Sequence, residues 1–193
     1  TPITYIKGYV QLLLIMMEGE QETAYLLQLK NSLLRVDKLV LRLTRLITEM
    51  LDLSRIENGK LELENEVFNL KDLVTDVVND IIYSSPQNKI SISAECNCKI
   101  FGDRHRIEQV MINLLTNAVK YSADNCDIEV FIKKAENNQV AVSVKDYGIG
   151  IDKKEHKSIF ERFYRVEGKV EKTYPGFGIG LFIANSIIER HNS

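Results

Sequence analysis

Three polar side chains on one predicted helix have the spacing of a phosphate-binding site. Asn113, Asn117 and Lys120 stand four and three positions apart within residues 103–121, whose apolar periodicity predicts an amphipathic helix. These spacings place them on one helix face. Two amide oxygens one turn apart can hold a Mg²⁺ ion that keeps most of its waters, and a lysine beside them can meet phosphate. The pattern alone is weak, because asparagines at this spacing more often cap helices or lie on a surface.

A second cluster follows a predicted strand, residues 140–144. Asp146 comes just after the strand, and Gly148 and Gly150 follow it. A carboxylate there can accept a hydrogen bond from an exocyclic amine, while the glycines let the backbone pass close to a planar base. A β-turn with a capping aspartate is the simpler interpretation of this cluster when it is taken by itself.

Two more clusters lie nearer the C-terminus. Phe160, Phe163 and Arg165 bring aromatic and basic side chains together around the end of a helix predicted at residues 153–164. The last predicted helix, residues 178–191, is opened by a glycine-rich run: Gly176, Gly178, Gly180 and Leu181. Such backbone offers free N–H groups and the positive end of the helix to phosphates. The run has neither the Walker spacing nor the dinucleotide fingerprint, so it too is a weak signal alone.

The other predicted elements must position these clusters. Strands are predicted at residues 90–92, 99–101, 128–133 and 140–144, and a further helix at residues 69–83. Mixed strands and helices after an all-helical start indicate an α+β fold class, in which an α/β sandwich follows a helical hairpin.

The first sixty residues carry a heptad pattern. Apolar residues recur at alternating three- and four-residue spacings, with a polar gap at residues 18–23 and a helix stop at Asn58 and Gly59. The seam is formed by Ile3, Ile6, Val10, Leu13, Met17, Leu26, Leu29, Leu33, Val36, Val40, Leu43, Ile47 and Met50. Further leucines widen this band beyond what one partner helix can cover, so we expect an antiparallel hairpin that forms a dimeric four-helix bundle. The alternative is a hairpin that packs only on its own downstream domain.

Composition excludes several classes of protein. The 193 residues include 25 Lys and Arg against 27 Asp and Glu, a net charge of −2, so there is no global positive field for nucleic acid. A content of 45% hydrophobic and 27% charged residues is typical of a globular protein. No apolar run reaches the ~20 residues of a membrane span, so we expect no direct membrane contact.

The three cysteines indicate a reducing compartment, and we expect them to be ordinary residues of strands. Cys96 and Cys98 are not accompanied by a second pair of ligands that would complete a zinc site.

Taken in order, the four clusters resemble the N, G1, F and G2 boxes of the sensor histidine kinases of bacterial two-component systems. The matching segments are residues 113–121, 146–150, 160–165 and 176–181. Residues 52–60 also resemble the family's junction between dimerisation helix and catalytic domain. The resemblance covers essentially the whole chain.

The resemblance implies a domain organisation and a function. Residues 1–59 would be the dimerisation and histidine-phosphotransfer hairpin, residues 60–68 a linker or first strand, and residues 69–193 a GHKL-type ATP-binding domain like those of gyrase and heat-shock chaperones. The chain would be the cytoplasmic core of a bacterial kinase that binds ATP or ADP with Mg²⁺. The parent would phosphorylate its own histidine and pass the phosphate to an aspartate of a response-regulator receiver domain. A homodimer would form through residues 1–57.

The resemblance also assigns roles at the phosphate end of the site. Asn117 would coordinate Mg²⁺ with Asn113 assisting, while Lys120 and Arg165 would face the phosphates. The lid would be residues 166–175. Its hinge and cap would be the G2-box residues Gly176, Gly178, Gly180 and Leu181.

At the base end, Tyr121 would lie against adenine and Asp146 would bond the adenine amino group, with Gly148 and Gly150 lining the base. Tyr147 and Phe177 depart from the residues usual in the family. Because the backbone carries the role at both positions, we expect nucleotide binding to survive these departures.

The resemblance places both ends of the chain inside the family's pattern. Thr1 matches the end of the phosphoacceptor motif, at a position that helps place water for dephosphorylation of the regulator. The acceptor histidine would lie four residues earlier, and the family's last hairpin would follow residue 193. His105 and His156 are expected to be surface residues. The sequence as given is therefore expected to bind nucleotide and dimerise without phosphorylating itself.

Two alternatives remain open. One is a nucleotide-responsive dimeric binding module without phosphotransfer. The other, less favoured, is an ATPase of the chaperone or gyrase type. Those relatives carry a catalytic glutamate where this chain has Asn113, so activation of water would lack a base.

Overall fold

The computed structural model describes residues 2–16, 24–122, 126–166 and 177–191, which divide into two compact units. The first unit, Thr1–Arg55, contains helix α1 (Pro2–Met16) and most of helix α2 (Ala24–Glu57). Both helices follow the predicted heptad stretches. The α2 helix stops where expected, since Gly59 has φ 67° and its N–H donates to the Ile56 carbonyl at 3.0 Å.

The second unit, Ile56–Ser193, mixes strands and helices and confirms the α+β class. Its elements are β1 (Asn65–Asn69), α3 (Leu70–Ser84), β2 (Lys89–Ala94), β3 (Lys99–Asp103), α4 (Arg104–Tyr121), β4 (Asp127–Lys134), β5 (Val140–Lys145) and α5 (Gly180–Arg190). Two 3-10 turns, Lys153–Glu155 and Ser158–Phe160, stand between β5 and α5.

The strands form two sheets. The larger has the order β2-β4-β5, with β2 parallel and β5 antiparallel to β4, so that Val130 lies between Ile92 and Val144. The smaller pairs β1 with β3 in antiparallel register, with Val67 opposite Phe101. Alternate residues of β4 are fully buried, as expected for a central strand with one face on a core.

Helix α4 lies between two apolar cores. One core joins α3 and one face of α4 to the larger sheet; its buried members include Leu73, Val77, Met111, Leu115, Ile128, Val130 and Ile132. The other joins α4 to α5; its buried members are Leu61, Val110, Ile179, Ile183, Ala184 and Ile187. The helix that carries the polar cluster is thus held on two sides by apolar packing, which fixes its orientation.

The predicted helix over residues 153–164 is wrong. Only the two 3-10 turns form there, and the chain then leaves helical geometry, with ψ 147° at Glu161 and φ 63° at Phe163. The Phe163 N–H donates to the distant Gly178 carbonyl at 3.0 Å instead of to a preceding turn. A long-range hydrogen bond has replaced the local ones that a helix needs.

The expectation of ordinary strand cysteines is also corrected. Cys96 and Cys98 lie in the loop between β2 and β3 and form a disulfide, with their Cα atoms 5.3 Å apart, within the range that the bond spans. Cys126, just before β4, is a free thiol. The surface prediction for His105 and His156 is confirmed, because both are exposed.

The first unit leaves most of its seam uncovered. Val10 and Val40 are buried, at 6% and 9% exposure, but other large apolar side chains of the seam are exposed. They are Ile6, Leu13, Leu29, Val36, Leu43, Ile47 and Met50. Neither helix, nor any other in the described part of the chain, is long and apolar enough to span a lipid bilayer.

Candidate functional site

The polar face of α4 is built as the spacing predicts. Asn113 is buried and Asn117, one turn later, is half-buried. At the end of the helix the Lys120 ammonium donates to the Tyr121 hydroxyl at 2.9 Å and lies 4.6 Å from the centre of that ring. The helix therefore presents two amides, a cation and an aromatic ring along its last two and a half turns.

The segment after β5 is fixed against the end of α4. The Asp146 carboxylate accepts the Gly148 N–H at 2.9 Å, and the Ile149 N–H donates to the Tyr121 carbonyl at 3.3 Å. A Cβ atom on Gly148 would lie 2.8 Å from the Tyr121 carbonyl carbon, closer than real Cβ contacts come. Only glycine permits this approach, so the N-box and G1-box segments meet through backbone atoms.

The aromatic and glycine-rich segments also meet. Besides the hydrogen bond from Phe163 to the Gly178 carbonyl, Gly178 has φ 69°, and a Cβ there would lie 2.9 Å from the Phe163 carbonyl carbon. The Phe163 ring is exposed, as is that of Phe160, and Arg165 and Leu181 are half-buried. The positive φ and the close approach together require glycine at position 178.

A side-chain hydrogen bond joins α4 to the glycine-rich segment. The Asn113 Nδ2 donates to the Gly180 carbonyl at 3.1 Å. Together with the contacts from Tyr121 to Ile149 and from Phe163 to Gly178, it links all four predicted clusters into one connected region. Thr1, Gly176 and residues 167–175 of the predicted lid lie outside the described residues.

Tyr147, which departs from the family pattern, belongs to a surface cluster with β4 and β5. Its hydroxyl accepts a hydrogen bond from the Lys145 ammonium at 2.7 Å and lies 3.4 Å from the Glu129 carboxylate. The hydrogen bond with Tyr147, aided by the Glu129 charge, raises the pKa of Lys145. The side chain of Tyr147 thus has partners of its own, while the backbone at Gly148 and Ile149 makes the contacts with α4.

The sequence reasoning missed the residues that fix the start of α4. Asp103 is its N-cap: the carboxylate accepts the Arg106 N–H at 3.0 Å and also the Glu64 N–H at 2.9 Å. The Asp103 N–H in turn donates to His191 Nε2 at 3.0 Å, while His191 Nδ1 faces the Ile187 carbonyl at 2.8 Å. A carbonyl only accepts, so Nδ1 carries the proton and the imidazole is neutral. An aspartate just before an amphipathic helix was the available signal.

Two opposing effects act on the Asp103 carboxyl. Burial opposes its ionisation, but the N–H groups of Glu64 and Arg106, with the charge of Arg106, lower its pKa below the ordinary value. Gly102 precedes it, and a Cβ there would lie 2.9 Å from His191 Cδ2. Close packing around His191 therefore favours glycine at that position.

The donor set fits a magnesium ion shared with a phosphate ligand. Among the described residues, no group of three or more His, Cys, Asp or Glu side chains is arranged to hold a metal. Magnesium is usually bound through one or two protein oxygens, several waters and the phosphates of its ligand. The half-buried Asn117 amide can supply such an oxygen, and Lys120 lies within one turn of it.

A family model matches the part of the chain that contains the four clusters. Residues 102–193 match the family model described as histidine kinase-, DNA gyrase B- and HSP90-like ATPase. The matched region begins just before α4 and includes all four predicted boxes.

Curated relatives match nearly the whole chain. The signal transduction histidine-protein kinase ArlS of Staphylococcus haemolyticus is 29% identical over 195 residues, which cover 99% of this chain and 41% of that protein. The autoinducer 2 sensor kinase/phosphatase LuxQ of Vibrio parahaemolyticus is 30% identical over 199 residues, which cover 98% of this chain and 22% of that protein. The chain therefore spans less than half the length of either relative.

Solved structures show the same fold. The Acinetobacter baumannii histidine kinase AdeS has a TM-score of 0.62 at 25% identity, covering 98% of this chain and 84% of that one. Full-length ShkA in complex with AMPPNP has a TM-score of 0.71 at 21% identity, covering 95% of this chain and 38% of that one, a likeness of fold alone.

Proposed function

Because this chain belongs to the bacterial two-component histidine kinases, with their type of catalytic domain in residues 102–193, we propose that it is the cytoplasmic, MgATP-binding and dimerising core of a sensor kinase. The observation that carries the proposal is the linkage of four separate sequence clusters into one region by three hydrogen bonds: Asn113 to Gly180, Ile149 to Tyr121, and Phe163 to Gly178.

The base would be held at the junction of α4 and the segment after β5. One Asp146 oxygen accepts a hydrogen bond from the Gly148 N–H. This bond orients the carboxylate so that it can accept a further hydrogen bond from the adenine amino group. Gly148 and Gly150, which has φ 69°, would line the base, with the Tyr121 ring against its face. This assignment gives Asp146 the main role in selecting adenine.

The phosphates would lie between α4 and the start of α5. Lys120 and Arg165 would neutralise their charge, and the backbone of Gly178 and Gly180, with Gly176 and the flanking Leu181, would close over them. Asn117 would hold Mg²⁺ with Asn113 assisting. When bound, the ion would neutralise charge on the phosphate oxygens, while the residues of the chain orient the nucleotide.

The parent protein would use this site for phosphoryl transfer. A histidine imidazole nitrogen of the parent would form a bond to the γ-phosphorus as the bond to the β,γ-bridging oxygen breaks, releasing ADP. A carboxylate of a response-regulator receiver domain would then take the phosphoryl group from the histidine. Thr1 would stand near the histidine and serve dephosphorylation of the regulator.

The exposed seam supports a homodimer through residues 1–57. Among the described seam residues, which leave out Met17, seven apolar side chains are exposed in a single chain, for example Leu43 at 49% and Ile6 at 49%. Burial of apolar surface at about 25 cal/mol per Å² makes such a continuous stripe a strong site of self-association. A second copy would complete the four-helix bundle, because its seam is identical.

The test is transfer of label from γ-labelled ATP to the parent protein and then to a purified receiver domain. We expect an acid-labile, base-stable label on the parent, which is the signature of phosphohistidine, followed by its loss when a receiver domain accepts it. Nucleotide binding without any label on protein would contradict phosphotransfer and favour a nucleotide-responsive binding module. Steady release of inorganic phosphate without a phosphohistidine would favour an ATPase.

A further inference from the structure

The Asn113 side chain makes a contact that binding a metal does not require. It is 6% exposed, and its amide nitrogen, not its oxygen, faces the Gly180 carbonyl at 3.1 Å. A carbonyl can only accept, so the contact needs an N–H donor at position 113. An aspartate has the same shape as asparagine but lacks that donor.

The Gly180 backbone lies against this amide. A Cβ atom at position 180 would come 3.4 Å from Asn113 Oδ1 and 3.5 Å from its Cγ. Gly180 is the first residue of α5, and Gly178, two residues before it, bonds Phe163. The Asn113 amide therefore sits where the glycine-rich segment turns into the helix.

Helix α5 is tied to α4 at its other end as well. There His191, the residue after the helix, accepts the Asp103 N–H at 3.0 Å. Ten residues separate Asp103 from Asn113 (113 − 103) and eleven separate Gly180 from His191 (191 − 180), about 15 Å of helix in each case. The two helices run side by side in opposite directions, and the Asn113 contact fixes the end of α5 nearest the proposed phosphates.

We infer that Asn113 is a positioning residue: its N–H donation to the Gly180 carbonyl holds the start of α5 at a set distance from Asn117. The inference rests on the proposed function for its link to nucleotide. It gives the first asparagine of the cluster a donor role toward the protein, distinct from the oxygen-donor role of Asn117 one turn later.

The test compares Asn113→Asp with Asn117→Asp, an isosteric pair on one helix face. Each variant is titrated with ADP in EDTA and again in excess Mg²⁺, and each is melted without nucleotide. For Asn113→Asp we expect ADP binding about tenfold weaker even in EDTA, because a carboxylate would face a carbonyl with no proton between them. For Asn117→Asp we expect the main change in the dependence of ADP affinity on Mg²⁺, since this residue is the proposed metal ligand.

The melting temperatures test the contact without nucleotide. We expect Asn113→Asp to melt several degrees lower than wild type and Asn117→Asp to melt close to wild type. If Asn113→Asp fails to fold, Asn113→Ala takes its place, since it removes the donor without adding a charge.

Wild-type affinity in EDTA together with a wild-type melting temperature in Asn113→Asp would overturn the inference. So would an Asn113→Asp variant altered only in its dependence on Mg²⁺, because the contact with Gly180 would then contribute nothing. Failure of the proposed function is a separate outcome. If wild type bound no nucleotide, the proposed role of Asn113 in phosphate binding would be wrong. A melting temperature lowered in Asn113→Asp but not in Asn117→Asp would still support the contact with Gly180.

Discussion

The two units of this protein bury their apolar residues in different ways. The largest fully buried side chains, including Leu73, Leu115, Ile128 and Ile183, lie in the second unit. The first unit has buried residues such as Val10 and Val40, but leaves Val36 at 40% and Leu43 at 49% exposure. The second unit thus has the core of a self-sufficient domain, whereas the first leaves apolar seam residues exposed, as the proposed dimer requires. Association and nucleotide binding should therefore be separable by mutation.

The largest expected effect comes from placing charge in the seam. Val36→Asp combined with Leu43→Asp should weaken self-association at least about a hundredfold, because each copy would bury unpaired carboxylates in the bundle. Sedimentation equilibrium would measure it. The control is Asn31→Asp with Lys38→Asp, two exposed positions off the seam of the same helix, which adds one more negative charge than the seam variant does. A double seam variant that remained dimeric would place the dimer contact elsewhere.

Removing an apolar side chain from the core tests the second unit. Leu115→Ala removes a fully buried side chain of α4 and should lower the free energy of unfolding of this unit by about 3 kcal/mol, as large-to-small core changes do. Urea unfolding would measure the loss, with sedimentation showing an unchanged dimer. Ile112→Ala, on the same helix at 36% exposure, is the control and should cost much less. Equal losses in the two variants would contradict the core described for α4.

Acid should act on the second unit through Asp103. Its pKa is lowered on folding, so its ionisation contributes stability that is present above the unfolded pKa of about 4 and is lost as the pH falls through the lower folded value. Wild type should therefore lose more stability than Asp103→Asn between pH 5 and about pH 3 in parallel thermal melts. Identical pH profiles would show that the carboxylate makes no net contribution.

The smallest expected effect is at the position that departs from the family pattern. Tyr147→Asn removes the contacts with Lys145 and Glu129 but leaves the backbone bond of Ile149 to Tyr121 in place. ADP affinity by calorimetry should stay within about threefold of wild type, since the hydroxyl contact is exposed and worth little. A large loss would mean that the Tyr147 side chain, and not the backbone around it, contacts the base.

Local periodicity predicted most of the elements to within a few residues, because each is stabilised by an apolar face that the sequence displays directly. Two helix ends, the start of α4 and the stop of α2 at Gly59, are set by local capping and also lie close to their predicted positions. Contacts between distant residues were not predictable in this way. The Asn113 bond to Gly180 spans 67 positions, and the Phe163 bond to Gly178 replaces a predicted helix with an irregular segment.

In the candidate site, too, local spacing was predictable from the sequence and contacts between distant residues were not. Spacing alone put Asn113, Asn117 and Lys120 on one face, but each cluster remained ambiguous until the order of all four resembled a known family. Which atom of Asn113 faces the glycine-rich segment, and that His191 holds the start of α4, depend on tertiary packing that no spacing encodes.

The second unit is proposed to bind adenine nucleotide through Asp146, independently of association through the first unit. Isothermal titration of ADP and Mg²⁺ into wild type and Asp146→Ala, with sedimentation of both proteins, tests it most directly. We predict saturable binding by wild type, no detectable binding by Asp146→Ala, and the same dimer in each. ADP binding by Asp146→Ala as tight as that of wild type would contradict the assignment of the site.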